Sequence, residues 1–315
     1  MINDKRPPSL IIISGPTGVG KTEVGISLAE PIRGEIISAD AMQVYRYMDI
    51  GTAKPGKEQR SRVPHHLIDV VDPDEPFSAA LFKTMADSVI TRLHRVGCPV
   101  FVVGGTGLYI KVLTRGLFQL RGQDPAVRKR LKAEAESLGL EVLHQRLEHI
   151  DPEAAKRIHP NDTYRIIRAL EIFELTGKPL TRHHQAHSFS ERPYRLLKIG
   201  LLIDRKMLYE RINKRTHEMI ASGLLREVEW LLDQGYSPEL KSMQSIGYRH
   251  MTQYLKGALA WDEAVRLFKR DTRRYAKRQL TWFRADPEIR WIEPTQIGLM
   301  RKMIDSFLTE SVHDA

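Results

Sequence analysis

Gly15-Pro16-Thr17-Gly18-Val19-Gly20-Lys21-Thr22 satisfies the spacing G-x-x-x-x-G-K-S/T. These residue types specify a phosphate cradle. Glycines let amide N–H groups turn inward around phosphate oxygens, and a helix starting after the loop adds its positive dipole end. Lys21 reaches bridging and terminal oxygens, and Thr22 offers a hydroxyl to Mg²⁺. The expected ligand is a di- or triphosphate. The loop says what is held, not what is done with it.

Further positions offer reacting groups. Asp40 closes the run Glu35-Ile36-Ile37-Ser38-Ala39, which puts it at the carboxyl edge of a sheet, where such folds bind ligands. An Asp there holds Mg²⁺ or acts as general base on an incoming nucleophile; its alternative job is to cap the following segment. Thr106, in Gly104-Gly105-Thr106-Gly107-Leu108-Tyr109, falls at the same edge. The glycine spacing there is not a dinucleotide fingerprint, and a plain strand-to-helix turn is equally open. Arg211 and Arg215 are one helical turn apart, a spacing that suits an anionic phosphate pair or ordinary pairing with Glu210 and Glu218.

A second constellation is purely basic. Arg266, Lys269, Arg270, Arg273, Arg274, Lys277 and Arg278 recur at helical steps, with Asp271 the only acid between Arg266 and Arg284. A face of one sign repels itself unless a polyanion meets it, so nucleic acid is the expected partner. Phe268, Thr272, Tyr275 and Trp282 fall on the opposite side as a docking face. His65-His66 and His183-His184 with His187 have no HExxH-type acid or paired Cys beside them, and read as exposed polar residues.

The elements that must position these groups alternate. Leu10-Ile11-Ile12-Ile13, Glu35 to Asp40 and Pro99-Val100-Phe101-Val102-Val103 read as buried strands, with helices over Thr22 to Glu30 and through Leu81, Met85, Val89, Ile90 and Leu93. That alternation predicts an α/β fold, a P-loop NTPase-like doubly wound parallel sheet. From Asp124 to His187 the pattern is helical only, over 127–136, 141–148, 153–158 and 163–176, and reads as an all-helical insertion. Leu196 to Ile203 returns to strand character, Lys206 to Phe283 is helical, and Trp291-Ile292 forms a last short strand. The expected domains are therefore 1–117 (first part of the P-loop core), 118–193 (insertion) and 194–315 (second part of the core with the basic helices).

The 315 residues carry a net charge of +10, with 42% hydrophobic and 28% charged residues. That composition argues against wholesale disorder. Cys98 is the single cysteine, so an internal disulfide framework or a Cys-based zinc ribbon is excluded and a reducing, cytoplasmic compartment fits. No apolar run is long enough to span a membrane, and the charged start, Met1 to Pro8, is not followed by a signal-peptide pattern. The residues alone leave three readings: a small-molecule kinase, an enzyme that uses the loop on another diphosphate and acts on nucleic acid, and a non-enzymatic RNA-binding regulator. The insertion and the basic helix favour the second.

The chain resembles the bacterial tRNA dimethylallyltransferases (tRNA isopentenyltransferases, the IPP transferase family) nearly end to end. The resemblance rests on the phosphate loop, Ser38-Ala39-Asp40, Met48-Asp49-Ile50-Gly51-Thr52-Ala53-Lys54-Pro55, Pro64-His65-His66, Val103 to Thr106, Arg157 to Asp162, Ser245-Ile246-Gly247-Tyr248-Arg249 and Ala276 to Trp282. It implies transfer of a dimethylallyl group from dimethylallyl diphosphate to N6 of the adenosine just 3′ of the anticodon, in tRNAs that read codons starting with U. It also implies Mg²⁺ as cofactor and a monomer. Asp40 is implied as the base on N6, with Lys21, Arg215, Thr17, the loop amides and Mg²⁺ on Thr22 holding the diphosphate, and Thr106 beside the channel that takes the adenine. Asp40-Ala41-Met42-Gln43 would contact the flipped nucleotide. Arg128 and Tyr164-Arg165-Ile166-Ile167-Arg168 would grip the anticodon loop, and Gln244 to Arg249, Arg274 and Arg278 would add RNA contacts. An adenylate-type isopentenyltransferase would need neither the insertion nor the basic helix. The prenyl-transfer cluster DDxxD is absent, since Asp69, Asp72 and Asp74 have the wrong spacing.

Overall fold

The computed structural model describes residues 7–117, 124–187 and 191–313. The charged first six residues and the expected start of the insertion at 118 lie outside them. The chain divides into two compact units, one combining Met1–Thr114 with Arg192–Ala315 and the other Arg115–Glu191.

The larger unit is built on a six-stranded sheet in the order β3-β2-β4-β1-β5-β6, every pairing parallel. The strands are β1 Ser9–Ser14, β2 Glu35–Ala39, β3 His65–His66, β4 Val100–Gly104, β5 Arg195–Leu201 and β6 Arg290–Ile292. Leu10, Ile11, Ile12 and Ile13 are all buried, because helices cover both faces of the central strand. Each such side chain contributes about 1.5–3 kcal/mol on removal from water. β1 and β2 are not neighbours; β4 lies between them. That crossover opens the crevice at the carboxyl ends of β1, β2 and β4.

The helices of this unit are α1 Lys21–Ala29, α2 Lys57–Arg62, α3 Ala79–Arg95, α4 Gly107–Arg115, α10 Arg205–Ala221, α11 Leu224–Asp233, α12 Tyr248–Leu255, α13 Trp261–Arg284 and α14 Ile297–His313. The stretch expected to be continuously helical from Lys206 is thus broken into four helices. Gly223 and Gly247, both at positive φ, sit at two of the breaks. α14 was not expected. Its Met300, Ile304 and Phe307 join Ile26, Phe101 and Ile199 in one core. His65 and His66 are not exposed as expected but form a half-buried edge strand. His66 Nε2 lies 2.6 Å from a Glu35 carboxylate oxygen, and His65 Nδ1 lies 2.7 Å from the Val63 carbonyl.

The smaller unit is helical among its described residues: α5 Pro125–Leu138, α6 Leu140–Ile150, α7 Pro152–Arg157, α8 Thr163–Thr176 and α9 Leu180–His187. Asp124, Asp151 and Asp162 cap α5, α7 and α8 with their carboxylates, each stabilising its helix by about 1 kcal/mol. Leu131, Leu143, Leu147, Ile166, Ile167 and Leu170 form its own core. No helix among the described residues is long and apolar enough to cross a membrane.

Candidate active site

The phosphate loop leaves β1 at Ser14 and enters α1 at Lys21. Gly20 takes φ 101° as the N-cap of α1, a left-handed conformation that favours glycine. Among the described residues, the amides of Gly18, Gly20, Lys21 and Thr22 donate to no backbone carbonyl. Amides left unpaired at a glycine-rich turn and a helix N-terminus suit an anion. Lys21 Nζ rests on the Pro16 carbonyl at 2.8 Å. Burial lowers its pKa to about 7; Arg215 adds to the drop and Asp40 opposes it.

Two side chains from distant helices complete the loop. Arg215 of α10 donates to Thr17 Oγ1 at 3.1 Å. Gln279 of α13 accepts the Thr17 amide at 2.8 Å and donates to the Gly105 carbonyl at 2.9 Å. Arg211, by contrast, is exposed and reaches only the Val19 carbonyl, at 3.5 Å. It does not line the cavity described below, whereas Arg215 does.

Asp40 stands where the end of β2 puts it. Its Oδ1 accepts the amides of Met42 at 2.8 Å and Gln43 at 3.3 Å, and Oδ2 accepts no hydrogen bond among the described residues. The capping job thus falls to one oxygen and leaves the other without a hydrogen-bond partner among the described residues. Gly104 lies so close to Ala39 that any Cβ there would collide with the Ala39 carbonyl, which brings the β4 loop against Asp40. Thr106 then donates its amide to the Ala39 carbonyl and accepts the Ala41 amide at Oγ1, both at 3.0 Å. Tyr275 of α13 adds a hydroxyl beside Thr106 and Gln279; burial raises its pKa.

These groups surround one cavity of about 660 Å³. Thr17, Lys21, Thr22 and Arg215 line its cationic end, and Asp40, Ala41, Met42 and Gln43 another side. Gly51, Thr52, Ala53 and Lys54 form one further wall, and Gln244, Ser245, Ile246 and Arg249 the next. Ile212, Met219 and Phe268 give it apolar surface, and Arg278 reaches it from the exposed face of α13. Gln43 binds Ser38 Oγ at 2.9 Å and the carbonyls of Thr52 and Ala53 at 3.4 and 3.3 Å. Lys54, buried, donates to the Tyr45 carbonyl at 2.7 Å, Asp49 at 2.5 Å and Asp69 at 2.7 Å. The motif Asp49 to Pro55 thus carries its own internal ion cluster.

A cationic end, an aspartate with an oxygen left unpaired among the described residues and an apolar slot in one cavity suit transfer of an apolar group from a diphosphate. The family comparison decides among the readings. The family model described as IPP transferase matches residues 43–286. The chain belongs to the IPP transferase family. A second model, isopentenyl transferase, matches residues 8–67. Among curated IPP transferase relatives, the tRNA dimethylallyltransferase of Desulfatibacillum aliphaticivorans is 56% identical over 95% of this chain and 98% of its own. That of Syntrophobacter fumaroxidans is 54% identical over 97% and 89%. The full-length tRNA isopentenylpyrophosphate transferase of Bacillus halodurans superposes with a TM-score of 0.73 at 43% identity, covering 97% of this chain and 98% of that one. A eukaryotic dimethylallyltransferase acting on tRNA gives a TM-score of 0.76 at 29% identity over 91% and 74%.

Several residues that the IPP transferase resemblance assigns to RNA sit elsewhere. Ile166 and Ile167 are core residues of the helical unit, and Gly247 and Tyr248 are buried in the larger one. With no surface, the side chains of Ile166, Ile167 and Tyr248 support contacts instead of making them. In the helical unit Tyr164 is 69% exposed, with the Arg128 guanidinium 5.4 Å from its ring centroid. Arg165 is exposed and pairs with Asp162 at 2.6 Å. Arg128 and Arg168 share the buried carboxylate of Glu171, at 3.7 and 2.8 Å.

The basic helix is also more structured than its charge pattern implies. Asp271 takes Arg249 at 2.5 Å, Arg270 at 2.8 Å and His250 at 3.2 Å. Burial pushes its carboxyl up, but these hydrogen bonds outweigh that and hold it well below the usual range. Arg273 binds Asn213, and Arg266 binds Glu263. Arg274, Lys277 and Arg278 stay exposed, Arg278 beside the cavity and Arg274 3.9 Å from Asp271. The face that α13 buries runs through Ala264, Phe268, Ala276, Gln279 and Phe283. Trp282, expected in that face, is 44% exposed.

Proposed function

We infer that this chain is a tRNA prenyltransferase: it moves a dimethylallyl group from dimethylallyl diphosphate to N6 of the adenosine 3′-adjacent to the anticodon, in tRNAs reading codons that begin with U. The observation that carries this is the meeting of the phosphate loop and Asp40 in one cavity with apolar lining. The exocyclic amine of adenine is a weak nucleophile, because its lone pair is delocalised into the ring. As the bond from N6 to the allylic carbon forms, the carbon–oxygen bond to the diphosphate breaks and the electron pair leaves with the diphosphate. Asp40 takes the N6 proton on its free oxygen. Lys21, Arg215 and the loop amides stabilise the departing anion.

The residues fit Mg²⁺. Among the described residues no cluster of His, Cys, Asp or Glu forms an all-protein cage, and Mg²⁺ ordinarily uses few protein oxygens together with substrate phosphates and water. Thr22 would hold it with the diphosphate, where it would neutralise phosphate charge. The acceptor RNA meets Arg274, Lys277 and Arg278, and Thr106 holds the loop after Asp40 open to the extruded base. In the helical unit, exposed Tyr164 and Arg165 suit an unpaired loop base and its phosphate. The chain acts as a cytoplasmic monomer in this reading.

The test is transfer from labelled dimethylallyl diphosphate to an unmodified anticodon stem-loop and, separately, to AMP. Label on the stem-loop alone supports the reading. Label on AMP alone moves the chain to the nucleotide-prenylating class and leaves the basic face without a ligand.

A further inference from the structure

Two of the cavity walls, Gly51–Lys54 and Gln244–Ile246, are loop segments without helix or strand hydrogen bonds of their own. Glu227 of α11 stands behind both. It does not line the cavity. Its Oε2 accepts the amides of Asp49 at 3.0 Å and Ile50 at 2.8 Å. Its Oε1 accepts the Gly51 amide at 3.2 Å and the Tyr248 hydroxyl at 2.5 Å. Three consecutive amides around one carboxylate form an anion nest, here filled from within the protein. Tyr248 is fully buried, and its ring packs so closely on Gly51 that a Cβ there would collide with it.

The second wall is tied to the same point. Gly247, at φ 96°, donates its amide to His250 Nδ1 at 3.2 Å, and His250 Nε2 faces Asp271 at 3.2 Å. Ser245 Oγ, on that wall, is buried with no hydrogen-bond partner. Such an atom is costly unless a ligand satisfies it. The first wall is tied to Asp40 through Gln43, whose side chain holds the Thr52 and Ala53 carbonyls. Among the described residues no hydrogen bond joins either wall to Thr17, Lys21, Thr22 or Arg215. Both walls are thus held from α11 and α12 and not from the phosphate loop.

We propose that Glu227 is a positioning residue for the RNA acceptor: its carboxylate sets the spacing of the two walls between which the adenosine enters, without touching either substrate. This rests on the tRNA prenyl-transfer reading above. Replacing the carboxylate by an amide keeps its size but turns one acceptor oxygen into a donor. One orientation then sets an N–H group against the amides of Asp49 and Ile50; the other sets it against the Gly51 amide, since the Tyr248 hydroxyl can turn and accept, and either breaks the nest that holds the first wall.

The experiment is steady-state prenyl transfer with the full chain, varying an anticodon stem-loop and dimethylallyl diphosphate in turn, for wild type, Glu227→Gln and Tyr248→Phe. Glu227→Gln raises KM for the stem-loop about tenfold, since misplacement of about 1 Å has effects of that order or more, while KM for the diphosphate stays within about twofold. A purely structural defect lowers the active fraction and moves neither KM. Tyr248→Phe, which removes one of the four donors, gives a smaller rise with the same selectivity, and decides the matter alone if the Gln variant does not fold. An unchanged stem-loop KM, or equal rises in both KM values, overturns the proposal. Wild type that labels no stem-loop overturns the underlying reading; active wild type with indistinguishable variants overturns this inference alone.

Discussion

The side chain of Gln279 accepts the amide hydrogen of Thr17 at 2.8 Å across 262 residues of sequence. The helix that presents the cations is thus also a structural part of the phosphate loop. Its exposed side offers Arg274, Lys277 and Arg278, while its buried side holds Thr17 and Gly105 in place. In the proposed reading, diphosphate and RNA are bound on two faces of one element.

Gln279→Leu tests that link. It leaves the Gly105 carbonyl and the Thr17 amide without their partner in a buried setting, which costs about 1–3 kcal/mol. Urea unfolding shows the loss of stability, and KM for dimethylallyl diphosphate rises while stem-loop affinity holds. A variant with wild-type KM shows that the loop keeps its shape without the bridge.

Arg211 and Arg215 separate cleanly. Arg215 lines the cavity and binds Thr17 Oγ1, whereas Arg211 is exposed outside it. Arg215→Ala lowers kcat/KM by about 10²–10³, the usual effect of removing a donor to developing negative charge. Arg211→Ala changes it by less than about threefold, as for an exposed charge. Equal losses in steady-state assays contradict the assignment.

What the sequence made legible was local. The phosphate loop occupies eight consecutive residues, and Asp40 ends an apolar run, so both follow from neighbours along the chain. β3 was missed because a two-residue edge strand has no periodicity to read. The roles of Gln279 and Glu227 were illegible for another reason. Their partners lie 262 and 177 residues away, and nothing in the spacing of α11 or α13 marks either residue. Trp282 falls in line with an apolar face by helical period, yet that face buries Gln279 and leaves Trp282 half in solvent. Only Asp271 carried a signal, as the single acid in a basic run.

Lys21 makes diphosphate binding depend on pH. Its pKa is lowered to about 7 by burial and by Arg215, against the pull of Asp40. Below that pH the ammonium is already formed and binds the anion without taking up a proton. Above it the amine is largely neutral, and the diphosphate must draw a proton in. Affinity therefore falls as pH rises above about 7, by up to tenfold per pH unit for one linked proton. Calorimetry in buffers of different ionisation enthalpy finds close to one proton taken up at pH 8.5 and close to none at pH 6. Lys21→Met abolishes the uptake.

The central claim is that Asp40 removes the N6 proton, and Asp40→Asn tests it most directly. An asparagine keeps the oxygen that caps Met42 and Gln43 and removes only the basicity of the other. Prenyl transfer to the stem-loop is measured at saturating dimethylallyl diphosphate, with stem-loop binding measured in parallel. Binding stays within about threefold of wild type and transfer slows by about 10²–10⁴, the range for a lost general base. Transfer at the wild-type rate with binding intact would contradict it and leave Asp40 as a cap alone.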